Sequence, residues 1–147
     1  MIIYLGIGTN LGNRDANLQT ALQLLDERVG EQLACSSVHR SAPMGFESEN
    51  EFANIVAVYD TPYSPEEVLL ITQQIEREMG RTQKSVNGVY HDRIIDIDLL
   101  QAYIGTPESG VGSQIEFTSE TLTLPHPRMQ ERDFVLIPLR EVEAILN

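Results

Sequence analysis

The hydrophobic positions of this chain follow two different periods. Apolar or alternating runs predict β-strands at 2–7, 33–40, 52–59 and 94–102. Between them, apolar residues recur at helical spacing in two segments, each with its own start and stop signals. Asn13 and Gly30 bracket the first predicted helix. A Ser64-Pro-Glu-Glu67 capping box and Gly80 bracket the second.

The resulting order is strand, helix, strand, strand, helix, strand. It predicts a ferredoxin-like α+β fold, with an antiparallel sheet and helices on its faces in three α/β/α layers. Residues 41–50 and 81–92 are polar and are expected to form mobile active-site loops. Residues 106–113 form a linker or a hairpin tip, and 121–125 a short strand. The chain closes with an apolar segment and a short helix at 141–146.

Two carboxylates occupy the strand that follows the second predicted helix. Side chains at i and i+2 of a strand share a face, so Asp96 and Asp98 project together. The opposite face carries Ile95, Ile97 and Leu99. Paired carboxylates repel unless a cation intervenes, and Mg²⁺ takes one or two carboxylates plus substrate phosphates. Arg93 is placed to grip a phosphate. The alternative is an edge strand whose carboxylates face water.

Composition narrows the classes of partner. The 147 residues are expected to form a single domain, and a net charge of −12 argues against nucleic acid and anionic membranes. No apolar run is long enough for a transmembrane helix. The single cysteine, Cys35, fits a reducing cytoplasm. Five of the ten Lys and Arg residues fall in two short segments, which suits a small polyanionic ligand, the alternative being chance clustering on solvated loops: Arg81, Lys84, Arg93, Arg128 and Arg132.

Other candidate residues leave alternatives open. The segment Gly6–Gly12 has phosphate-loop character but fits neither nucleotide motif, so a tight strand-to-helix turn is favoured. Asn54 suits the edge of a heterocycle, or is a satisfied core amide. Gln73 and Glu76 lie off the apolar stripe of their helix, where they contact a ligand or face solvent. His126 lies between two prolines, which favours a positioned donor.

Taken together, these motifs resemble the 6-hydroxymethyl-7,8-dihydropterin pyrophosphokinase family of folate biosynthesis. The resemblance spans nearly the whole chain and rests on segments that occur in the family's order. They are Gly6-Ile-Gly-Thr-Asn-Leu-Gly12, Arg40-Ser-Ala-Pro-Met-Gly45, Phe52-Ala-Asn54, Gln73-Gln-Ile-Glu76, Gly80-Arg81, Asp92-Arg-Ile-Ile-Asp-Ile-Asp98, Pro125-His126 and Arg132-Asp-Phe134.

The resemblance implies transfer of diphosphate from ATP to the pterin hydroxymethyl group, with release of AMP. It implies two Mg²⁺ ions on Asp96 and Asp98, which with Arg81 and Arg93 form the catalytic set. The pterin would contact Ser41, Ala42, Met44, Phe52, Asn54, Asp96, Arg132 and Phe134. ATP would contact Leu69, Gln73, Glu76, Arg81, Lys84, Tyr90, Arg93, Leu99, Thr123, His126 and Arg132.

The chain departs from the family pattern in its loops. The 81–93 loop is longer than usual and lacks a tryptophan and an arginine, for which Tyr90 and Lys84 stand in. Phe52 replaces a usual tyrosine. A monomer acting on small molecules is expected. Two other functions remain compatible with the sequence: a magnesium-dependent nucleotide phosphohydrolase, and a non-catalytic nucleotide-binding or regulatory domain with the ferredoxin-like fold.

Overall fold

The computed structural model describes residues 1–41, 51–80, 94–106, 108–129 and 132–146, with Ser41 described by its backbone alone. Its elements, in chain order, are β1 (Ile2–Thr9), α1 (Arg14–Arg28), β2 (Glu31–Cys35), β3 (His39–Ser41), β4 (Phe52–Asp60), α2 (Pro65–Glu78), β5 (Asp96–Thr106), β6 (Gly110–Gln114), β7 (Phe117–Thr118), β8 (Thr123–Leu124) and α3 (Asp133–Leu146).

The main sheet is antiparallel and runs in the order β2-β4-β1-β5-β6, with β3 also paired to β4. Its four principal strands, β1, β2, β4 and β5, are connected through α1 and α2 in the βαββαβ order. The predicted ferredoxin-like arrangement is therefore confirmed. The strands β7 and β8 form a separate two-stranded ribbon.

Helices cover both faces of the sheet. One face packs against α1 and α2 through a core that includes Leu18, Leu25, Val68 and Ile75. The other packs against α3 through Val135, Leu139 and Val142. The predicted three layers are confirmed. None of the helices in the described part of the chain has the length and apolar run that crossing a membrane requires.

The predicted helix starts are confirmed by their caps. The Asn13 side chain accepts a hydrogen bond from Ala16 N at 3.0 Å. At α2, Ser64 Oγ accepts from Glu67 N, and the Glu67 carboxylate accepts from Ser64 N, which completes the capping box. Each cap satisfies amide groups that the first helical turn leaves without a partner.

The strand predicted at 33–40 is two strands. The short connector between β2 and β3 keeps contact with β4 through Ser36, whose N donates to Val56 O at 2.9 Å and whose Oγ accepts from Val56 N at 3.0 Å. A side-chain hydroxyl takes over one backbone bond of the ladder there. This exchange cannot be read from the alternation of apolar residues.

The last helix is longer than predicted, because it begins at Asp133 and not near residue 141. Pro138 lies inside it and argues against a helix on local grounds, since proline lacks the N–H that a helix interior uses. The apolar side of α3 is buried against the sheet, and this tertiary packing outweighs the local penalty.

The predicted turn at residues 6–12 is only partly right. Gly6 and Gly8 lie inside β1, whereas the turn follows Asn10 and contains Gly12 at φ +68°. By contrast, the hairpin alternative for residues 106–113 is confirmed, because β5 runs on to Thr106 and pairs with β6; Pro107 lies outside the described residues.

Candidate active site

The paired carboxylates of β5 face a strand that has no side chains opposite them. Asp96 lies across from Gly8 and Asp98 across from Gly6. On the other side of β1, Gly8 lies across from Asn54 of β4. Because directly opposed residues of antiparallel strands point to the same side, Asn54, Gly8 and Asp96 form one row across the sheet. The row lies on the face that α3 partly covers, since the alternate residues Ile97 and Leu99 belong to the α1–α2 core.

The two glycines form an open floor between the carboxylates and the amide. A Cβ on Gly8 would lie 2.9 Å from Asn54 Oδ1 and 3.7 Å from Phe52 Cδ1. A Cβ on Gly6 would lie 3.3 Å from the Leu100 side chain. Sequence reasoning missed this role and assigned both glycines to a turn. The available signal was the shared period of two in Gly6-x-Gly8 and Asp96-x-Asp98.

Glu76 braces the strand that carries the aspartates. It is 2 % exposed, and its Oε2 accepts a hydrogen bond from Ile97 N at 2.9 Å. Ile97 lies between Asp96 and Asp98, beyond the part of β5 that pairs with β6. The interpretation of Glu76 as a solvent-facing helix residue is therefore wrong. The residue reaches from α2 to the open edge of β5 and satisfies a backbone amide there.

His126 is held beside the same strand by its backbone. Its N donates to Leu100 O at 2.7 Å, further along the edge of β5 that Glu76 also uses. Its Nδ1 accepts from Arg128 N at 3.2 Å, which assigns the proton of the neutral ring to Nε2. Burial, and then the charge of Arg132, lower the pKa of His126, while Asp96 opposes this shift. A positioned donor at Nε2 results.

Arg132 and Phe134 approach from the beginning of α3. Arg132 is 8 % exposed, and its Cζ lies 5.7 Å from the centre of the Phe134 ring, a cation–π distance. The guanidinium also acts electrostatically on His126. The structure thus brings a cation, a histidine and the Asp96 carboxylate into one neighbourhood, although they come from distant parts of the chain.

Phe52 and Asn54 lie on β4, on the same face as the aspartates. Phe52 is partly exposed, while Asn54 is buried and its Nδ2 donates to His39 O at 3.4 Å. Both interpretations of Asn54 therefore have support, since the amide is anchored to backbone and also directed over the glycine floor.

The predicted nucleotide contacts on the α2 side of β5 differ in how exposed their side chains are. Leu69 and Gln73 lie partly exposed on α2, and Thr123 lies partly exposed on β8. Leu99 is 3 % exposed inside the α1–α2 core, which argues against a ligand contact through its side chain. Six predicted site residues lie outside the described part of the chain: Ala42, Met44, Arg81, Lys84, Tyr90 and Arg93.

The donor set suits a hard divalent ion shared with phosphates. Within the described ranges, no group of three or more His, Cys, Asp or Glu side chains is arranged to hold a metal. Asp96 and Asp98 provide two carboxylates above an open floor, and Mg²⁺ characteristically needs no more from the protein when substrate phosphates and water complete its shell. The residues present therefore fit Mg²⁺ bound together with a polyphosphate.

Comparisons with known proteins agree with this chemistry. Residues 4–144 match the family described as 7,8-dihydro-6-hydroxymethylpterin-pyrophosphokinase (HPPK). The chain is 47 % identical over 146 residues to the 2-amino-4-hydroxy-6-hydroxymethyldihydropteridine pyrophosphokinase of Porphyromonas gingivalis, covering 99 % of this chain and 93 % of that protein. It is 35 % identical over 142 residues to the Bacillus subtilis protein of the same name, covering 96 % and 77 %.

A solved structure shares the fold. The chain superposes on an HPPK-DHPS structure in complex with substrates with a TM-score of 0.67 and 16 % identity, covering 96 % of this chain and 40 % of that one.

Proposed function

Because this chain belongs to the 7,8-dihydro-6-hydroxymethylpterin-pyrophosphokinase family, we propose how its own residues carry out the family's reaction. The chain is a pyrophosphokinase of folate biosynthesis, which transfers diphosphate from ATP to the hydroxymethyl group of 6-hydroxymethyl-7,8-dihydropterin and releases AMP. Membership in the family favours this activity over the phosphohydrolase and the non-catalytic domain considered from the sequence.

The bond changes define what the site has to do. The pterin hydroxymethyl oxygen bonds to the β-phosphorus of ATP, and the bond from that phosphorus to the oxygen bridging the α-phosphate breaks. AMP leaves with that oxygen, and the hydroxyl proton is lost to water. Such a transfer requires alignment and charge neutralisation more than a covalent catalyst.

We propose that Asp96 and Asp98 hold two Mg²⁺ ions together with the ATP phosphates. Bound there, the ions supply neutralisation of phosphate charge and orientation of the attacking and departing oxygens. The carboxylates lie opposite Gly8 and Gly6, which supports an occupant of phosphate size above β1. Glu76 contributes by holding the Ile97 amide and thereby the course of the strand between the two carboxylates.

Cationic and donor groups complete the proposed phosphate site. Arg132 and the Nε2–H of His126 lie on the side of the row nearest Asp96 and stabilise negative charge as it moves towards AMP. We assign the same task to Arg81 and Arg93, with Lys84 and Tyr90 as further ATP contacts, from the family pattern of the sequence.

The pterin is proposed to lie over the glycine floor between Phe52 and Phe134. Asn54 then reads the ring edge, because an amide offers one donor and one acceptor side by side. Its buried position beside Gly8 supports this assignment. The family pattern adds Ser41, Ala42 and Met44 on the same side.

The adenosine part of ATP is assigned to the α2 side of β5. The proposed contacts are Leu69, Gln73, Glu76, Leu99 and Thr123. Leu69, Gln73 and Thr123 are partly exposed, which supports side-chain contacts, whereas for Leu99 the proposal is limited to its backbone.

We further propose that residues 1–147 act as one pyrophosphokinase domain, as a monomer in the cytoplasm. The single continuous main sheet supports one domain. One cysteine, partly exposed and free, suits a reducing compartment.

The observation that carries these assignments is the row formed by Asn54, Gly8 and Asp96. The test mixes the protein with ATP, Mg²⁺ and hydroxymethyldihydropterin and measures AMP. AMP release that depends on the pterin is the expected result. ADP with phosphate, or loss of ATP without the pterin, contradicts the proposal.

A further inference from the structure

One carboxylate of α3 holds the connector between β2 and β3. Glu141 Oε1 accepts a hydrogen bond from Ser37 N at 2.9 Å, and its Oε2 accepts from Ser37 Oγ at 3.0 Å. His39 Nε2 lies 2.9 Å from the same Oε2 and donates to it when that nitrogen carries a hydrogen, in the neutral Nε2–H tautomer or in the imidazolium. We refer to these contacts of Glu141 with Ser37 and His39 as the α3–β3 clamp.

The Glu141 carboxylate is suited to a permanent contact. The hydrogen bond from His39, followed by that from the Ser37 backbone, lowers the pKa of Glu141 below its usual 4.5. The paired side chains are 29 % and 35 % exposed, and partly exposed ion pairs contribute little to global stability. The consequence of this pair therefore lies mainly in what it positions.

On the strand side, the clamp leads directly to Asn54. His39 lies opposite Asn54 in the β3–β4 ladder, and Asn54 Nδ2 donates to His39 O at 3.4 Å. The other end of the amide, Oδ1, lies close to the position that a Cβ on Gly8 would occupy. At 3.4 Å this bond is at the long end for an N–H···O hydrogen bond, so it is lost if His39 O moves further away. The position of β3 therefore contributes to the direction in which the amide points over the glycine floor.

On the helix side, the clamp leads to Phe134. Glu141 follows Phe134 by seven residues, which is about two turns, so both lie on the same side of α3. The apolar contacts of Val135 and Leu139 hold α3 on the sheet, but such contacts are non-directional. Three directed hydrogen bonds at Glu141 add a fixed rotation and axial position.

We propose that the α3–β3 clamp positions the pterin site, because it couples the helix that carries Phe134 to the strand that orients Asn54. The inference rests on the pterin roles proposed above for these two residues. His39 and Glu141 are positioning residues, since they act on the substrate through Asn54 and Phe134. The proposed ATP site lies at the Asp96 end of the row, and its contacts on α2, β5 and β8 do not depend on the clamp, so the KM for ATP is expected to change much less than the KM for the pterin.

The test compares the KM values of the two substrates in a Glu141→Gln variant, which keeps the shape of the side chain and removes its charge. The KM for the pterin should rise about tenfold, the size expected for hydrogen bonds to a charged acceptor, while the KM for ATP stays within about twofold. A His39→Gln variant should behave in the same way, and the double variant should be no worse than either single one.

The matched control is Arg28→Gln, which breaks an ion pair of similar geometry between α1 and α2, with Arg28 Nη1 and Nη2 at 2.6 and 2.8 Å from the Glu78 carboxylate oxygens. It should leave both KM values unchanged. If Glu141→Gln lowers only the unfolding temperature, or raises both KM values together, the clamp is structural and the proposal is wrong.

An Asn54→Ala variant distinguishes a failure of the proposed pterin site from a failure of the α3–β3 clamp. An unchanged pterin KM in that variant contradicts the proposed pterin site itself. A raised pterin KM for Asn54→Ala combined with unchanged values for Glu141→Gln contradicts the clamp alone.

Discussion

The two faces of the central strands differ in their side chains, although alternate residues of the same strands form both faces. Towards α1 and α2, β1 presents three buried apolar side chains: Ile3, Leu5 and Ile7. Towards α3, the same strand begins with buried Ile2 and Tyr4 and then presents only Gly6 and Gly8. One face is closed along its whole length, and the other is closed at one end only.

The difference shows how a stable sheet can carry a site without a gap in its core. The α1–α2 face is apolar up to the level of the aspartates, so packing against α1 and α2 stabilises the strands at that level. The α3 face gives up apolar burial at the same level, where glycines, Asp96, Asp98 and Asn54 replace apolar residues. Alternate residues of the same strands therefore serve two purposes: those facing α1 and α2 stabilise the fold, and those facing α3 at this end of the sheet form the candidate site. The variants below test that division.

The largest expected effect is on turnover, from Asp98→Asn on the open face. The change keeps the shape but removes a carboxylate needed for charge neutralisation, so AMP release should fall at least about a hundredfold. The unfolding temperature should not fall, because repulsion between the carboxylates is relieved. Asp60→Asn at the far end of β4 is the control and should turn over normally. Normal AMP release by Asp98→Asn would falsify its role in the site.

The Ile7→Ala change on the closed face is expected to lower the stability of the fold strongly while leaving turnover unchanged. Ile7 is 2 % exposed, and deleting such a side chain costs about 2–5 kcal/mol of unfolding free energy. Denaturant unfolding measures this loss, and the turnover of the folded fraction should stay close to that of the unaltered chain. A fall in turnover with unchanged stability would mean that the two faces are not separable.

The neighbouring change Gly8→Ala should impair pterin binding and leave the unfolding free energy nearly unchanged, which is the reverse of the result expected for Ile7→Ala. The new Cβ would lie 2.9 Å from Asn54 Oδ1, so the amide has to move while the rest of the strand remains in place. The pterin KM should rise about tenfold, with little change in unfolding free energy. The pterin KM of Gly8→Ala is measured together with that of Ile7→Ala, its matched control. An unchanged pterin KM in Gly8→Ala would show that the glycine floor tolerates a side chain, against this prediction.

The smallest expected effect is a difference in acid sensitivity between the two sides. The folded-state pKa of Glu141 lies below its usual 4.5, so its stabilisation is present above about pH 4.5 and is lost as the pH falls through the folded value. The stability advantage of the unaltered chain over Glu141→Gln should therefore shrink as the pH falls below about 4.5 and through the folded-state pKa of Glu141.

On the α1–α2 side, hydrogen bonds from Arg28 lower the pKa of Glu78 to about 2. The corresponding advantage over Glu78→Gln should persist to lower pH. Thermal unfolding across the pH range measures both advantages, and identical profiles for the two variants would contradict the comparison.

Much of the fold was predictable because its signals are local. The caps at Asn13 and Ser64 and the strand–helix order were correct as predicted. The errors came where a distant contact overrides a local preference. A helix runs through Pro138 because its apolar side is buried against the sheet, and between β2 and β3 the Ser36 hydroxyl replaces a backbone carbonyl as the acceptor for Val56 N.

The candidate site divides in the same way. Motif spacing in the sequence selected Asn54, His126 and Arg132 without indicating what they contact. Glu76 was selected too, but its contact with the Ile97 amide depends on how α2 lies along β5. The glycine floor was missed, because the absence of a side chain has meaning only once the opposing residues are known.

By itself, the sequence determined that Asp96 and Asp98 share a face, because the alternation of side chains along a strand is a property of the backbone. It also determined the family, through motifs that occur in order along the chain. Only the tertiary structure decided that Asp96 lies across Gly8 from Asn54, and that α3 leaves this end of the sheet open. The physical reason is that register and layer packing are set by contacts between residues far apart in the chain, for which no local pattern is sufficient.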